Sequence, residues 1–358
     1  MSSSADSSQR GLVLASRASK LARIQTDLAL HAFQSAHASH NFSASYITSE
    51  EGDKNKTQAL YLLGGKSLWT KELEVALKEK AADILVHSLK DVPTVMPEGC
   101  EIAAVLERAS PLDALVVKTG KPWKSLEDLP DGSVIGTGSI RRVAQLKRHY
   151  PRLHFMDARG NLDTRLNKLD APEGPYAALV LAKAGLVRSG LEHRVTCDLV
   201  APQLYHAVGQ GAIGIEIRSD DALARQLCTI VTHWPTHWVT AAERAMLRVL
   251  EGGCSVPVGV TSNLEIQGER SGTLTLHGSV TSIGGEVQVD YRMERAVESL
   301  EEAEKVGIAV AEKLAEIGGK EILDEVNADR AKRIGEDKSA EEKKKLEAMI
   351  EPAAQAQK

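Results

Sequence analysis

The 358-residue sequence predicts two α/β domains that flank a cleft, followed by a small C-terminal α+β domain. Three observations lead to this fold class. Short apolar runs alternate with amphipathic segments, the same alternation starts again near the middle of the chain, and the last part combines strand-like alternation with one long amphipathic helix. Apolar residues make up 42% of the chain and aromatic residues 4%, so Leu, Val, Ile and Ala must fill the cores.

The first α/β set opens with an apolar strand at residues 11–16. Ser19 can cap the helix that follows, because a serine hydroxyl accepts a hydrogen bond from an N–H group of the first turn. Helical spacing of apolar residues predicts a second helix over 69–80. Further strands are predicted at residues 83–87, 102–106 and 114–117. The Ser-Pro-Leu-Asp segment at 110–113 is interpreted as a turn.

The second set begins with a strand at 134–135, which leads into a Gly-Ser turn and a helix over 140–149. Two more strands are expected at 153–156 and 177–181, with a helix at 162–169 before the second of them. Strands that alternate with helices predict a mostly parallel sheet with right-handed crossovers. Two such sets therefore predict two α/β domains with a cleft between them.

The third domain has a different pattern. A helix over 241–250 ends at two glycines, and an amphipathic helix covers 299–317. Strands are predicted between these helices at 256–260, 274–280 and 287–293. Beyond about residue 328 the chain is almost entirely charged residues, Ala and Gln, which indicates a solvated tail without a core of its own.

These patterns divide the chain into domains. We expect domain 1 at residues 1–106 and 212–230, domain 2 at 107–211, domain 3 at 231–327, and a mobile tail at 328–358. The polar segment around residues 49–60 is expected to form a loop over the cleft.

Charge distribution favours a local anionic ligand. The net charge is −5, which gives no general reason to expect nucleic acid or an acidic membrane. Between Arg141 and Arg194, however, eleven Lys and Arg stand against five Asp and Glu. A solvated surface helix is the alternative explanation of this basic segment. A nucleic-acid binder would need interleaved aromatic residues and a basic total, and the sequence has neither.

Cysteine usage and the N-terminal residues predict a cytoplasmic protein. The four cysteines are scattered and none lies within four residues of another, which favours a reducing compartment and argues against a zinc knuckle. No paired-histidine motif occurs, so no metal site is predicted. Residues 1–10 are polar and serine-rich, unlike a secretory signal, and no apolar run approaches the ~18 residues that a membrane span needs.

Two nucleotide-binding motifs are incomplete. The segment that starts at Gly136 resembles a dinucleotide fingerprint, but Arg141 stands where its third glycine should pack the helix on the strand. The Gly-Lys-Ser triplet at 65–67 resembles the end of a phosphate-binding loop, but Leu60 replaces the required earlier glycine. Neither motif predicts a nucleotide site.

Six short segments form a more specific pattern. They are residues 14–19 (LASRAS), 87–93 (HSLKDVP), 136–142 (GTGSIRR), 158–161 (ARGN, with Arg165 after it), 207–212 (AVGQGA) and 251–257 (EGGCSVP). In this order and spacing they resemble the porphobilinogen deaminase family, over roughly residues 11–325. The resemblance implies that the first two domains are similar to periplasmic binding proteins and that the third supplies a cysteine.

Basic residues in these segments stand where a predicted strand ends or a helix begins. Open α/β sheets bind ligands at the carboxyl ends of their strands, and helix N-termini favour anions. Because a guanidinium group matches a carboxylate with two hydrogen bonds, a cluster of arginines indicates a ligand with several carboxylates. A surface ion pair is the alternative for any one of them. The residues expected to converge on one cleft are Arg17, Lys90, Arg141, Arg142, Arg159, Arg165 and Arg188.

The resemblance also implies a covalent cofactor. Cys254 matches the family's cysteine that bears dipyrromethane through a thioether bond, although an isolated cysteine is more often an inert buried residue. The other residues expected to contact this cofactor are Lys90, Ser139, Arg141, Arg142, Arg159 and Gly160. The residues expected to bind the substrate are Arg17, Ser19, Lys66, Trp69, Arg165, Arg188 and Gln210. Trp69 could pack on a pyrrole ring or belong to the core.

Asp91 is the predicted catalytic residue. A carboxylate beside the pyrrole nitrogens could stabilise the positive charge that develops when ammonia leaves porphobilinogen, whereas the alternative is an Asp that only shapes the turn before Val-Pro. The implied function is the stepwise joining of four porphobilinogen molecules on the dipyrromethane, which releases hydroxymethylbilane and ammonia. We expect a monomer without nucleic-acid or membrane partners. The alternative function is a non-catalytic two-domain binder of an anionic small molecule.

Overall fold

A computed structural model describes residues 11–48, 67–250 and 256–332. The predicted loop around 49–60, most of the predicted tail, Lys66 and Cys254 lie outside these ranges. Among the described residues, no helix is both long and apolar enough to cross a membrane.

The elements alternate as the sequence predicts, with additional short strands. The strands are β1 (Leu12–Arg17), β2 (Phe42–Ile47), β3 (Ile84–Ser88), β4 (Cys100–Val105), β5 (Asp113–Val117), β6 (Val134–Gly136), β7 (His154–Met156), β8 (Ala178–Ala182), β9 (Cys197–Leu199), β10 (Ile213–Arg218), β11 (Val258–Gly268), β12 (Ser271–Thr281) and β13 (Gln288–Val297). The helices are α1 (Lys20–Ala36), α2 (Ser67–Lys78), α3 (Ile140–His149), α4 (Leu162–Asp170), α5 (Lys183–Arg188), α6 (Ala222–Val231), α7 (Trp234–Val249) and α8 (Leu300–Leu314).

The first sheet is mixed and has the strand order β2-β1-β3-β10-β4. Strand β1 is parallel to β2 and β3, whereas β10 runs antiparallel to both β3 and β4. The core on one face contains the fully buried side chains of Leu14, Phe33, Ile84 and Ile215. Strand β10 thus joins strands from the first 105 residues, although more than 100 residues separate it from β4 in the sequence.

The second sheet repeats this arrangement with the order β7-β6-β8-β5-β9. Strand β6 is parallel to β7 and β8, and β5 is antiparallel to β8 and β9. Four of the five strands in each sheet therefore run in one direction, as a mostly parallel sheet requires, and one strand runs in the opposite direction between two others. As a result β5 and β10 begin at the edge where the parallel strands end, and the segments that precede them reach that edge as well.

Domain 3 packs helices against a three-stranded antiparallel sheet of β11, β12 and β13. Its core lies between this sheet and helices α7 and α8, and includes Met246, Val260 and Val310. One π-helical turn (Ala315–Gly319) follows α8, and a further helix covers 320–332. The first residues of the predicted tail are therefore helical.

The predicted fold class, two α/β domains and a small α+β domain, is confirmed by these three sheets. The capping role predicted for Ser19 is confirmed, since its hydroxyl accepts a hydrogen bond from Ala22 N at 3.4 Å. The predicted turn at 110–113 extends too far, because Asp113 is the first residue of β5 and pairs with Ala182. The residue limits of the domains stay a prediction.

Candidate active site

Asp91 lies at the end of a short 3₁₀ turn, Leu89–Asp91, that directly follows β3. The turn is fixed by the buried Leu89 side chain and by the Leu89 N–H group, which donates to Ala212 O at 3.0 Å. Because β1 and β3 are parallel, Arg17 at the end of β1 and Ser19 at the start of α1 lie at the same edge of the sheet as Asp91.

Lys90 connects this turn to the second domain through Gln210. Its Nζ donates to Gln210 Oε1 at 3.3 Å. The Gln210 amide is buried and donates in turn to Pro111 O at 2.7 Å and to Asp113 Oδ1 at 2.9 Å. The predicted ligand-binding residues Lys90 and Gln210 are therefore brought together, and Gln210 reaches the start of β5.

Arg141 and Arg142 share the carboxylate of Asp113. They stand in the first turn of α3, whose N-cap is Ser139, and are only 4% and 6% exposed. Arg141 Nη2 donates to Asp113 Oδ2 at 2.7 Å, and Arg142 donates to Asp113 Oδ1 through Nε at 3.1 Å and Nη2 at 2.7 Å. In addition, Arg141 Nη1 donates to Tyr205 O and Arg142 Nη1 donates to Val180 O.

The Asp113 carboxyl group is ionised, and its single negative charge does not cancel the two positive charges of Arg141 and Arg142. Burial alone would raise the pKa of its carboxyl group, but the two guanidinium groups hold that pKa well below its usual range. Two buried cations thus face one buried anion. Sequence reasoning missed Asp113, although two adjacent arginines at the start of a packed helix were a signal that a buried carboxylate should exist elsewhere.

Arg159 and Gly160 lie between β7 and α4, and Arg165 stands on α4. Gly160 has a φ of +110°, and its carbonyl oxygen accepts from Arg165 Nε at 2.7 Å. Arg159 pairs with Asp157 at 2.6 Å. Burial, followed by repulsion from Arg142, lowers the pKa of Arg165 to about 10, while Asp157 and Asp91 act in the opposite direction.

Asp91 and Arg165 influence each other electrostatically although they come from different parts of the fold. Asp91 belongs to the first sheet, and Arg165 stands on α4 beside the second sheet. Their charges are nevertheless close enough to act on each other. The convergence of the other predicted guanidinium groups on Asp91 stays a prediction.

Arg188 lies apart from these contacts. It ends α5, and its Nη2 donates to Gly211 O at 2.8 Å, beside Gln210. It lines a groove of about 460 Å³ together with apolar side chains of α1 and α6, among them Leu28 and Ile230. Its described contacts do not include Asp91 or Arg165, and its predicted substrate role stays a prediction.

Three predicted residues cannot be placed. Lys66 and Cys254 lie outside the described residues, and for Trp69 only the backbone, within α2, is described. Among the described cysteines, Cys100 and Cys228 are buried, and burial raises the pKa of the Cys228 thiol to about 12. A thiol with so high a pKa is a poor nucleophile.

Helix α7 adds contacts that sequence reasoning missed. The buried Glu243 accepts from Arg108 Nη1 at 2.7 Å and from Gly209 N at 2.7 Å. Arg108 and Gly209 belong to the two segments, 106–112 and 200–212, that cross between domains 1 and 2. The next residue, Arg244, donates to the carbonyl oxygens of Val92 and Pro93, just after Asp91. Domain 3 therefore holds both the crossing segments and the Asp91 turn.

The described side chains fit a ligand with several carboxylates. Arg141 uses two and Arg142 three of their five N–H donors in the contacts above, so donors remain on both. The charge of the Asp113 group is positive, and Arg159, Arg165 and Lys90 add to it. Fold and site together define a class of protein that holds a polyanionic small molecule between two α/β domains and presents one carboxylate to it.

Comparison with known proteins identifies the family. Residues 12–226 match the model described as "Porphobilinogen deaminase, dipyromethane cofactor binding domain", and residues 239–316 match "Porphobilinogen deaminase, C-terminal domain". The chain belongs to the porphobilinogen deaminase family, and dipyrromethane is the cofactor of that family's first domain.

Curated relatives agree with this assignment. The porphobilinogen deaminase of Yarrowia lipolytica is 47% identical over 88% of this chain and 93% of its own length. That of Saccharomyces cerevisiae is 43% identical over 90% of this chain and 98% of its own length. Membership of an enzyme family argues against the alternative of a non-catalytic binder.

A solved structure, the periplasmic aliphatic sulphonate binding protein SsuA from Escherichia coli, is 11% identical over 67% of this chain and 70% of that chain, with a TM-score of 0.34. A TM-score this low does not bear on the fold described above.

Proposed function

We propose that the protein is a transferase, a hydroxymethylbilane synthase, which joins four porphobilinogen molecules head to tail on a dipyrromethane bound to Cys254. Each addition breaks the bond between the aminomethyl carbon and the nitrogen of the arriving molecule and releases ammonia. The same carbon then forms a carbon–carbon bond to the terminal pyrrole of the growing chain, and that pyrrole loses a proton. Water finally releases hydroxymethylbilane. The small-molecule substrate carries an acetate and a propionate arm.

The observation that carries this proposal is the charge arrangement around Asp91. Arg141 and Arg142 share one buried carboxylate, so the second domain keeps positive charge that a ligand carboxylate can neutralise. Arg165 extends this positive group toward Asp91. A site of this kind can hold acetate and propionate arms and still keep one protein carboxylate beside the pyrrole nitrogens.

The cofactor fits the same residues. When bound, dipyrromethane supplies the pyrrole carbon to which the first substrate molecule is joined. Arg141, Arg142, Arg159 and Lys90 would hold its carboxylates, and the Gly160 turn would allow backbone to approach it. Cys254 follows α7 by five residues, and α7 contacts the Asp91 turn through Arg244. This sequence proximity supports attachment at Cys254.

Asp91 would stabilise the electron-poor substrate fragment that remains when ammonia leaves. A carboxylate near the pyrrole N–H groups lowers the energy of developing positive charge, and can pass a proton as the new bond forms. Arg17, Ser19, Arg165, Arg188 and Gln210 would orient the arriving molecule, with Lys66 and Trp69 from the segment around α2.

Attachment of the cofactor is tested by mass. The intact purified protein should exceed the chain mass by one dipyrromethane unit, and Cys254→Ser should lack that excess because no thioether can form. Cys228→Ser is the control and should keep it, since Cys228 is buried in domain 1. Persistence of the excess in Cys254→Ser would show that another residue bears the cofactor.

The role of Asp91 is tested by turnover. Asp91→Ala should retain the cofactor and the melting temperature of the wild type, but should lower kcat by at least ~10³-fold because charge stabilisation in the reacting state is lost. Asp131→Ala, which removes an exposed carboxylate paired with Arg152, is the matched control. Turnover of Asp91→Ala equal to that of the control would exclude Asp91 as the catalytic group.

We further propose that the protein acts as a cytoplasmic monomer without nucleic-acid partners. The free state of Cys100, Cys197 and Cys228 supports a reducing compartment. Light scattering of the purified holoenzyme gives its mass in solution, and a dimer mass would contradict the monomer prediction.

A further inference from the structure

We propose that Arg244 of domain 3 is a positioning residue that fixes the Asp91 turn for the reaction. The proposal rests on the catalytic role of Asp91 proposed above and adds a residue from a different domain. Arg244 lies on α7 next to Glu243, and its side chain reaches the chain immediately after Asp91.

The contacts are specific to an arginine. Arg244 Nη1 donates to Val92 O at 3.2 Å and Nη2 donates to Pro93 O at 2.6 Å. A guanidinium group has two separate nitrogen atoms at a fixed spacing, so it can bridge two successive carbonyl oxygens, whereas an ammonium group is a single point donor. Nη2 also lies 3.9 Å from Met96 Sδ, further along the same segment.

The bridged segment has few other polar restraints. Val92 N donates to Leu89 O at 3.2 Å and closes the turn, but residues 93–96 make no backbone–backbone hydrogen bond with other described residues. Pro93 has no N–H group to offer. The guanidinium of Arg244 therefore supplies two of the hydrogen bonds that hold the chain on the downstream side of Asp91.

The upstream side of Asp91 is held differently. Ser88 pairs with Ile213 across the sheet, and Leu89 N donates to Ala212 O at 3.0 Å. Asp91 thus sits between an anchor in domain 1 and an anchor supplied by domain 3. Loss of the second anchor would remove the hydrogen bonds from Arg244 to the chain just after Asp91, and displacement of a reacting group by ~1 Å can cost ~100-fold in rate.

The effect should appear in kcat and not in substrate binding. The guanidinium groups proposed to hold substrate carboxylates belong to β1, α4 and α5, whereas the described hydrogen bonds of Arg244 go to the chain just after Asp91. Arg244→Gln in the holoenzyme should therefore lower kcat by about 10- to 100-fold with KM for porphobilinogen within about threefold of wild type. Arg244→Lys should fall between Gln and wild type, because it keeps one donor.

Arg248→Gln is the matched control. Arg248 lies one turn further along α7 and pairs at 3.5 Å with Glu304, within domain 3. Arg248→Gln removes the same charge from the same helix as Arg244→Gln, and should keep kcat within twofold of wild type. The melting temperature and intact mass of each variant report whether the fold and the cofactor are retained.

A double-mutant cycle with Asp91→Asn separates positioning from a general structural effect. If Arg244 acts through Asp91, Arg244→Gln should lower the residual kcat of Asp91→Asn by less than about threefold. The proposal is overturned if Arg244→Gln matches Arg248→Gln, or if its full effect persists in the Asp91→Asn background. High turnover of Asp91→Asn itself would instead contradict the proposed function. If Arg244→Gln does not fold, Arg244→Lys is compared with Arg248→Gln and combined with Asp91→Asn in its place.

Discussion

At the scale of single residues, the charge of a buried group depends on its partners and not on burial alone. Burial acts to raise the pKa of Asp113, but the combined effect of Arg141, Arg142 and the Gln210 hydrogen bond outweighs it, so this carboxyl group stays ionised. For His206 burial lowers the pKa to about 4, with Glu243 acting in the opposite direction and Arg108 in the same direction as burial. The imidazole is therefore neutral in the folded protein at neutral pH.

His206 makes folding sensitive to mild acid. Between about pH 6.5 and pH 4 the unfolded chain binds a proton at this position and the folded chain does not, so the free energy of unfolding falls as the pH falls. His206→Gln should show a shallower fall across this window, measured by urea unfolding at a series of pH values. The same substitution at the exposed His154 is the control. Equal slopes for His206→Gln and wild type would contradict the prediction.

At the scale of elements, the position of α7 is set by its close approach to α8. A Cβ atom on Gly307 would lie 2.0 Å from Ala242 O and 3.0 Å from Met246 N, so the two helix backbones touch at this point. Ala242 directly precedes Glu243 and Arg244. The spacing of two helices in domain 3 therefore decides where these side chains reach in domain 1.

Gly307→Ala should destabilise domain 3. Alanine favours a helix over glycine by up to about 1 kcal/mol, but the overlap with the α7 backbone should cost more, for a net loss of about 1–3 kcal/mol in unfolding free energy. Gly185→Ala in α5 is the control, because its Cβ would meet Leu162 and Leu21 at an ordinary 3.6 Å. Denaturant unfolding measures both variants, and an equal or stabilising effect of Gly307→Ala would contradict the close contact.

At the scale of the whole molecule, Glu243 joins domain 3 to both segments that cross between domains 1 and 2. Its buried carboxylate accepts from Arg108 in one crossing segment, from Gly209 in the other, and from the Ser262 hydroxyl in β11. Arg108 Nε also donates to Gln210 O at 2.8 Å, so the two crossing segments are bound to each other. Any movement of domain 1 against domain 2 must bend segments that domain 3 holds at one point.

Glu243→Gln should weaken the whole assembly. The amide lacks the charge that compensates buried Arg108, and breaking a buried pair in this way costs roughly 3–5 kcal/mol. We expect a lower melting temperature and a separate transition for domain 3 in calorimetry. Glu304→Gln, which removes the same charge from a half-exposed pair with Arg248, should shift the melting temperature little. A single wild-type-like transition for Glu243→Gln would contradict this role.

Helix caps and the turn after β3 can be predicted from residues that are neighbours along the chain. Ser19 caps α1 and Ser139 caps α3 because a cap depends only on residues three positions apart. The Asp91 turn follows β3 as predicted, because an apolar strand and its end are marked by adjacent residues. The motif order was also enough to indicate the family and its charged cleft.

The partners of the buried charged side chains depend on packing between segments that are far apart in the sequence. Asp113 lies 28 residues from Arg141, Glu243 lies 135 residues from Arg108, and Arg244 lies 152 residues from Val92. The reversed direction of β5 and β10 brings the segments before them to the ligand edge of each sheet, and no local pattern encodes that direction. A buried charged side chain is paired with a residue that packing brings close from a distant segment, whereas helix caps and strand ends depend on residues that are neighbours along the chain.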